Sequence, residues 1–210
     1  METHPYLEQG EIKGATRLIL GSFPVWQCTD PESEAKQQLR QQTGTFRFFY
    51  GSSRNALWKL YSEHIEQLPA DPTIEEIIKS LNRNKIAISD VVMSAQRKEE
   101  KSALDSHLRR KGWNKEQIDR MLNNGAGKVL CTSKGVLDWL ESSVLCLARN
   151  PIAKKELTKS SDLQGTILSA LPDNTKPPKK EIGRVFRLNQ SGLIVEVIAI
   201  PLPEGTVIVN

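Results

Sequence analysis

Arg17-Leu-Ile-Leu-Gly-Ser-Phe23 and Lys85-Ile-Ala-Ile-Ser-Asp-Val-Val92 decide the fold. Each is a short, near-continuous apolar run, rich in branched side chains and bounded by Gly, Pro or polar residues. Strands of this kind belong in a sheet covered on both faces. Gly127–Thr132 (GKVLCT) and Gly192–Leu202 (GLIVEVIAIPL) read the same way, and Gly183–Leu188 (GRVFRL) can pair with the last across Asn189–Gly192. Helical patterns lie between them. Arg54–Gln67 sets Leu57, Leu60, Tyr61 and Ile65 at helical spacing, and Thr73-Ile-Glu-Glu76 is a capping box before Ile77, Ile78 and Leu81. Asn114-Lys-Glu-Gln117 offers a second such start, and Ser133 is placed to cap Gly135–Ala148. Strands alternating with helices predict an α/β protein, a single three-layer domain over residues 1–210. Its core would be a central, mostly parallel four- to five-stranded sheet flanked by helices. Ligands of such sheets sit at the carboxyl ends of the strands, so chemistry is expected in the loops after Phe23, Val92 and Leu202.

A chain of 210 residues, 38% hydrophobic and 26% charged, can bury a core without metal or disulfide staples. The longest apolar run, Gly192–Leu202, is interrupted by Glu196 and is too short to cross a bilayer. Met1–Gly14 is polar and mixed in charge, unlike a signal peptide. A cytoplasmic monomer is expected. Cys28, Cys131 and Cys146 are odd in number and lack paired metal-ligand spacing, so they read as reduced thiols, the last two buried. The net charge of +4 is uneven. Arg97–Arg120 holds eight Lys/Arg against five Asp/Glu, Arg149–Arg187 holds nine against four, and the remainder is therefore −4. Leu171–Lys180 (LPDNTKPPKK) has the composition of a mobile basic loop. Such a basic side fits a polyanion, although solvated helix faces would produce the same count.

Three stretches carry candidate chemistry. In Leu20-Gly-Ser-Phe-Pro-Val25, Gly21 allows close backbone approach to a ligand and Pro24 fixes the turn. In Phe46-Arg-Phe-Phe-Tyr-Gly-Ser-Ser-Arg-Asn-Ala-Leu-Trp58, aromatics precede a Gly-Ser-Ser loop that opens a helix. Aromatic faces stack bases, a hydroxyl-bearing helix start binds phosphate, and the Asn55 amide can read a base edge or orient water. A plain helix start capped by Ser53 is the structural alternative. In Ser89–Asp105, Asp90 falls near the end of a strand, where a carboxylate is costly unless bonded or used. Arg97 can pair with Asp105 or with a phosphate, and Ser102 with Asp105 makes a capping start for a helix through Arg110.

Together LILGSFP, YGSSRNALW and ISDVVMSAQRKEEKSALDSHL resemble the uracil-DNA glycosylase superfamily, closest to its hypoxanthine-DNA and G:U mismatch-specific glycosylase branch. The likeness spans Arg17–Leu108, with three motifs in order. It implies a cofactor-free, metal-free, monofunctional hydrolase of base-excision repair, which cleaves the N-glycosidic bond of a flipped deaminated base, hypoxanthine or uracil, in DNA. Flipping is repaid by stacking and by pre-placed donors that stabilise the leaving base. The acid that prepares water in many members is replaced here by Phe23, which leaves Asn55 as the implied catalytic amide. The implied base pocket comprises Gly21, Ser22, Phe23, Pro24, Phe49, Tyr50, Gly51, Ser52 and Asp90. Phe49 or Tyr50 would stack on the base, and Asp90 would support from behind.

DNA contacts would come from Arg54, Arg97, Ser102, Pro203 and Thr206. Ile200–Thr206 (IPLPEGT) departs from the family's last motif, because Glu204 stands where a small hydroxyl is expected. A carboxylate facing DNA repels it, so a catalytically inactive member that binds DNA or a nucleobase is the alternative. An unrelated nucleotide-binding protein has no Gly-rich phosphate fingerprint to support it.

Overall fold

The structure, a computed structural model, describes residues 1–29, 46–52, 55–99, 102 and 104–145, and the backbone of two further strands at 182–187 and 194–199. The chain is a mixed α/β protein with two sheets and several helices. In one sheet, β2 (Arg17–Gly21) runs parallel to β3 (Ile86–Asp90) on one side and to β6 (Lys128–Cys131) on the other. The last four residues of β2 and all of β3 are buried, which the apolar runs dictate. Beyond β6 lie β8 (Ile194–Ala199), parallel to it, and β7 (Ile182–Arg187), antiparallel to β8. Among the described residues no helix is long and apolar enough to cross a membrane.

Helices return the chain between strands. α1 (Trp26–Thr29) is a single turn, and α2 (Leu57–His64) buries Leu57, Trp58 and Tyr61. α3 (Ile74–Asn84) starts at the Thr73 capping box: Thr73 Oγ1 accepts from the Glu76 N–H, and Glu76 Oε2 accepts from the Thr73 N–H. Such a cap contributes about 1 kcal/mol. The helix ends where Lys85 turns left-handed (φ 55°), feeding straight into β3. α4 (Lys115–Asn123) buries Ile118, Met121 and Leu122 against the sheet. α5 (Lys134–Trp139) is capped by Ser133, whose Oγ accepts from the Val136 N–H, and continues as a wider π turn, Leu140–Val144.

The expectations for residues 85–110 need correction. The run Lys85–Val92 is not one strand: β3 stops at Asp90, and after Val91 the chain enters a second sheet as β4 (Val92–Arg97). Residues 105–110 are not a helix opened by Ser102. A 3-10 turn, Asp105–His107, leads into β5 (Leu108–Trp113), antiparallel to β4, and β1 (Glu2–Thr3) flanks β4 on its other side. The reason is tertiary. Val92 and Ala95 are buried while Met93 and Gln96 face out, and β5 supplies the partner that this half-buried ribbon needs. A buried polar set welds the two sheets and α4 together. Asn114 Nδ2 donates to Ser89 Oγ and to the Asp90 carbonyl, and Gln117 Nε2 donates to the Leu7 carbonyl.

Candidate active site

The carboxyl ends of β2, β3 and β6 finish level with one another. Gly21 is in register with Asp90, and Leu20 with Cys131. The chain beyond each end stays tied to β2: the Val91 N–H donates to the Gly21 carbonyl at 2.9 Å and the Thr132 N–H to the Leu20 carbonyl at 3.0 Å. Gly21, Asp90 and Thr132 therefore lie side by side in a buried cluster at this end of the sheet. Tyr50 leans in from the side. It sits at φ 54°, in the left-handed region, within a tight loop where the Phe46 N–H donates to the Gly51 carbonyl. Its hydroxyl reaches Thr132 Oγ1 at 3.3 Å and lies directly over Gly21 beside Asp90 Oδ1. A Cβ on Gly21 would overlap both atoms, so glycine is required there for the Tyr50 hydroxyl and the carboxylate to share the space.

Asp90 is 4% exposed, and a carboxylate so buried must be bonded. His4 Nε2 donates to its Oδ2 at 2.9 Å, while Oδ1 accepts no hydrogen bond among the described residues. A second carboxylate stands nearby: Asp105, half-buried on its 3-10 turn, accepts from Ser22 Oγ at 2.8 Å. Burial pushes the Asp105 carboxyl above its ordinary range, with Asp90 raising it further and Ser22 opposing. Burial and the adjacent Asp90 likewise push Tyr50 well upward, so it remains a hydroxyl. This cluster thus joins a fixed carboxylate, a second carboxyl that burial pushes above its ordinary range, and the hydroxyls of Tyr50, Ser22 and Thr132. Such a set can orient water, accept an N–H edge and stabilise positive charge that develops in front of it.

The expected pocket residues separate into two groups. Gly21, Ser22, Tyr50 and Asp90 meet in this cluster, and Gly51 sits buried in the turn that aims Tyr50. Ser52 is half-buried, and its carbonyl accepts from the Asn55 N–H. Phe49 cannot stack on a base: it is fully buried, with its ring against His4, Tyr6 and Phe48. Phe23 is also an inward residue, edge-on to His4 and under the Arg97 guanidinium, and Pro24 is buried beside it. Asn55 has one structural task. Its Oδ1 accepts from the Leu57 N–H at 2.8 Å at the start of α2, so its orientation is fixed, and among the described residues its amide nitrogen makes no hydrogen bond.

Two expected DNA contacts are turned inward instead. The Arg97 side chain is 5% exposed, pairs with Glu2 at 2.9 Å and donates to the carbonyls of Pro24 and Ser102. Arg97 therefore braces the Ser22–Pro24 loop from behind rather than meeting phosphate or Asp105. The Ser102 hydroxyl bonds His107 Nδ1 and accepts from the Leu104 N–H. Arg54, Pro203, Thr206 and Glu204, like Cys146 and the basic loop at 171–180, lie outside the described residues.

Sequence reasoning missed His4, Thr132 and the Ser22–Asp105 link. Only Asp105 had a local signal, a carboxylate close to a motif, and it was assigned to capping. Sequence reasoning read the charge of this stretch but missed the strand that carries it, β5: Arg109, Arg110 and Lys111 are exposed, Arg110 lies over the Trp139 ring at 4.6 Å, and among the described residues Arg109 and Lys111 form no ion pair. Among the described residues no group of His, Cys, Asp and Glu is placed to hold a metal ion. In comparisons with known proteins, no family model, no curated protein and no solved structure matches the chain.

Proposed function

We propose that the chain is a monofunctional DNA glycosylase of the uracil-DNA glycosylase type, which hydrolyses the N-glycosidic bond of a flipped deaminated base, hypoxanthine or uracil. One observation carries the reading. The three separated motifs contribute Gly21 and Ser22, Tyr50, and Asp90 with Asp105, and these residues converge in one buried cluster at the carboxyl ends of parallel strands. A three-layer domain built on that sheet is part of the same proposal.

In this reading the flipped nucleotide enters beside Tyr50, and Ser52 and Asn55, which follow it in the chain, meet the base. Water adds to C1′ as the C1′–N bond breaks, and the bonding electron pair leaves with the base. The Asp90 carboxylate faces the positive charge growing on the sugar, and the Asn55 amide N–H supports the negative charge growing on the base. Asp90 takes the proton lost by the water, and the base is protonated from solvent. Arg109 and Lys111 supply phosphate contacts in place of Arg97 and Ser102.

The test is a strand-nicking assay on labelled duplexes that carry one uracil, hypoxanthine or xanthine, with alkali applied after incubation. Cleavage confined to a deaminated base is the expected result. Duplex binding without cleavage at any lesion overturns the enzymatic reading in favour of a non-catalytic DNA-binding protein.

A further inference from the structure

We infer that His4 is a positioning residue of this site: a neutral imidazole, protonated on Nε2 alone, that holds Asp90 with Oδ1 turned toward Gly21 and the Tyr50 hydroxyl. Its consequence for catalysis rests on the glycosylase reading; the bond itself does not.

The tautomer follows from the partners. The Tyr6 backbone N–H donates to His4 Nδ1 at 3.1 Å, so Nδ1 is an acceptor and carries no proton. The ring proton is then on Nε2, aimed at Asp90 Oδ2 2.9 Å away. The ring has no freedom to turn. Its side chain is fully buried, and Tyr6, Phe23 and Phe49 pack around it with centroids at 5.8, 5.8 and 5.0 Å. The backbone is anchored as well. The His4 N–H donates to the Met93 carbonyl, and the preceding β1 pairs with β4. Pro5 fixes the turn that returns the Tyr6 N–H to the ring. Asp90 is therefore gripped at both ends, its side chain by His4 and its carbonyl by Asn114. Of the two carboxylate oxygens, one is held and the other is presented. A reacting group held this way loses little freedom when substrate arrives, and misplacement by about 1 Å can cost two orders of magnitude in rate.

Two substitutions in the full chain separate positioning from packing. In His4→Asn, Oδ1 can take the place of Nδ1 and keep the Tyr6 bond, but no donor reaches Asp90. In His4→Gln, Nε2 can take the place of the imidazole donor. Both should fold, with melting temperatures close to each other. Under single-turnover conditions with excess protein, His4→Asn should lower the excision rate about tenfold or more with duplex affinity unchanged, whereas His4→Gln should restore most of it. Equal losses in both variants, or a wild-type rate in His4→Asn, would overturn the inference.

Imidazole 15N–1H correlation spectra of the wild-type chain give a readout that needs no activity. One ring, absent from the His4→Gln spectrum, should carry its proton on Nε2 only; a proton on Nδ1 overturns the inference outright. A wild-type chain that excises no lesion yet shows this ring defeats the glycosylase reading and leaves the His4–Asp90 link standing.

Discussion

Replacing Gly21 with alanine tests the packing of this cluster without assuming any activity. The added Cβ would lie within overlap distance of the Tyr50 hydroxyl and of Asp90 Oδ1, and 2.6 Å from Tyr50 Cζ. None of these neighbours moves freely. Asp90 is held by His4, and Tyr50 hangs from a left-handed turn closed by Phe46 and Gly51. Overpacking a fixed site costs about 1–3 kcal/mol. At about 2–4 °C per kcal/mol for a chain of this size, Gly21→Ala should lower Tm by roughly 2–12 °C. Tyr50→Phe alone gives up only the 3.3 Å contact with Thr132 and should cost less than about 1 kcal/mol. In the double variant the worst overlap is gone, so the two effects should fall short of their sum by about 1 kcal/mol. Differential scanning calorimetry of the four proteins gives the cycle. A Gly21→Ala protein melting within a degree of wild type, or strict additivity in the cycle, would refute this geometry.

Asn55→Ala should reduce excision about a hundredfold and also cost roughly 1 kcal/mol of stability, because the Leu57 N–H loses its acceptor. Asn55→Asp keeps that acceptor and should recover the stability but not the rate, and excision assays beside thermal melts distinguish the two losses. Arg109→Ala and Lys111→Ala should each weaken duplex binding to any sequence and flatten the plot of log affinity against log salt by about one unit of slope, read from anisotropy titrations; an unchanged slope removes β5 from the interface. For Asp105 the folded protein favours the protonated form, so its contribution to stability is greatest at low pH and falls as pH rises from its ordinary 3.8 through the raised folded value. Asp105→Asn, which can still accept from Ser22, should lack that decline when unfolding is followed by denaturant across the acid range, and a parallel decline in both proteins would contradict the burial of this carboxyl.

The parts of this protein that are written locally were the parts the sequence disclosed. The apolar β2 run, the Thr73 box and the Ser133 cap each depend on neighbours within a few positions, and each is in place. The β4–β5 ribbon was hidden for the opposite reason. Arg109, Arg110 and Lys111 have no apolar alternation, and only pairing with residues far back in the chain makes them a strand. Adjacent aromatics are indistinguishable by pattern, so Phe49 and Tyr50 were equal candidates for stacking. One left-handed φ at Tyr50 sends its side chain to Gly21, Asp90 and Thr132 while Phe49 stays in the core. Arg97 looked like a phosphate ligand because its partners, Glu2 and the Pro24 carbonyl, are remote in sequence. His4 had no signal at all, since nothing near position 4 announces a carboxylate at position 90.

The small strand β1 therefore has a kinetic meaning out of proportion to its length. His4 and Asp90 are 86 residues apart, and Glu2 and Arg97 are 95 apart. Closing a loop that long costs on the order of 4 kcal/mol of chain entropy, recovered only when the partners are already assembled. This short strand should thus dock among the last, onto a sheet that other contacts have built. Substitutions at Glu2 and His4 should accelerate unfolding while hardly changing the rate of refolding, the signature of contacts formed after the barrier.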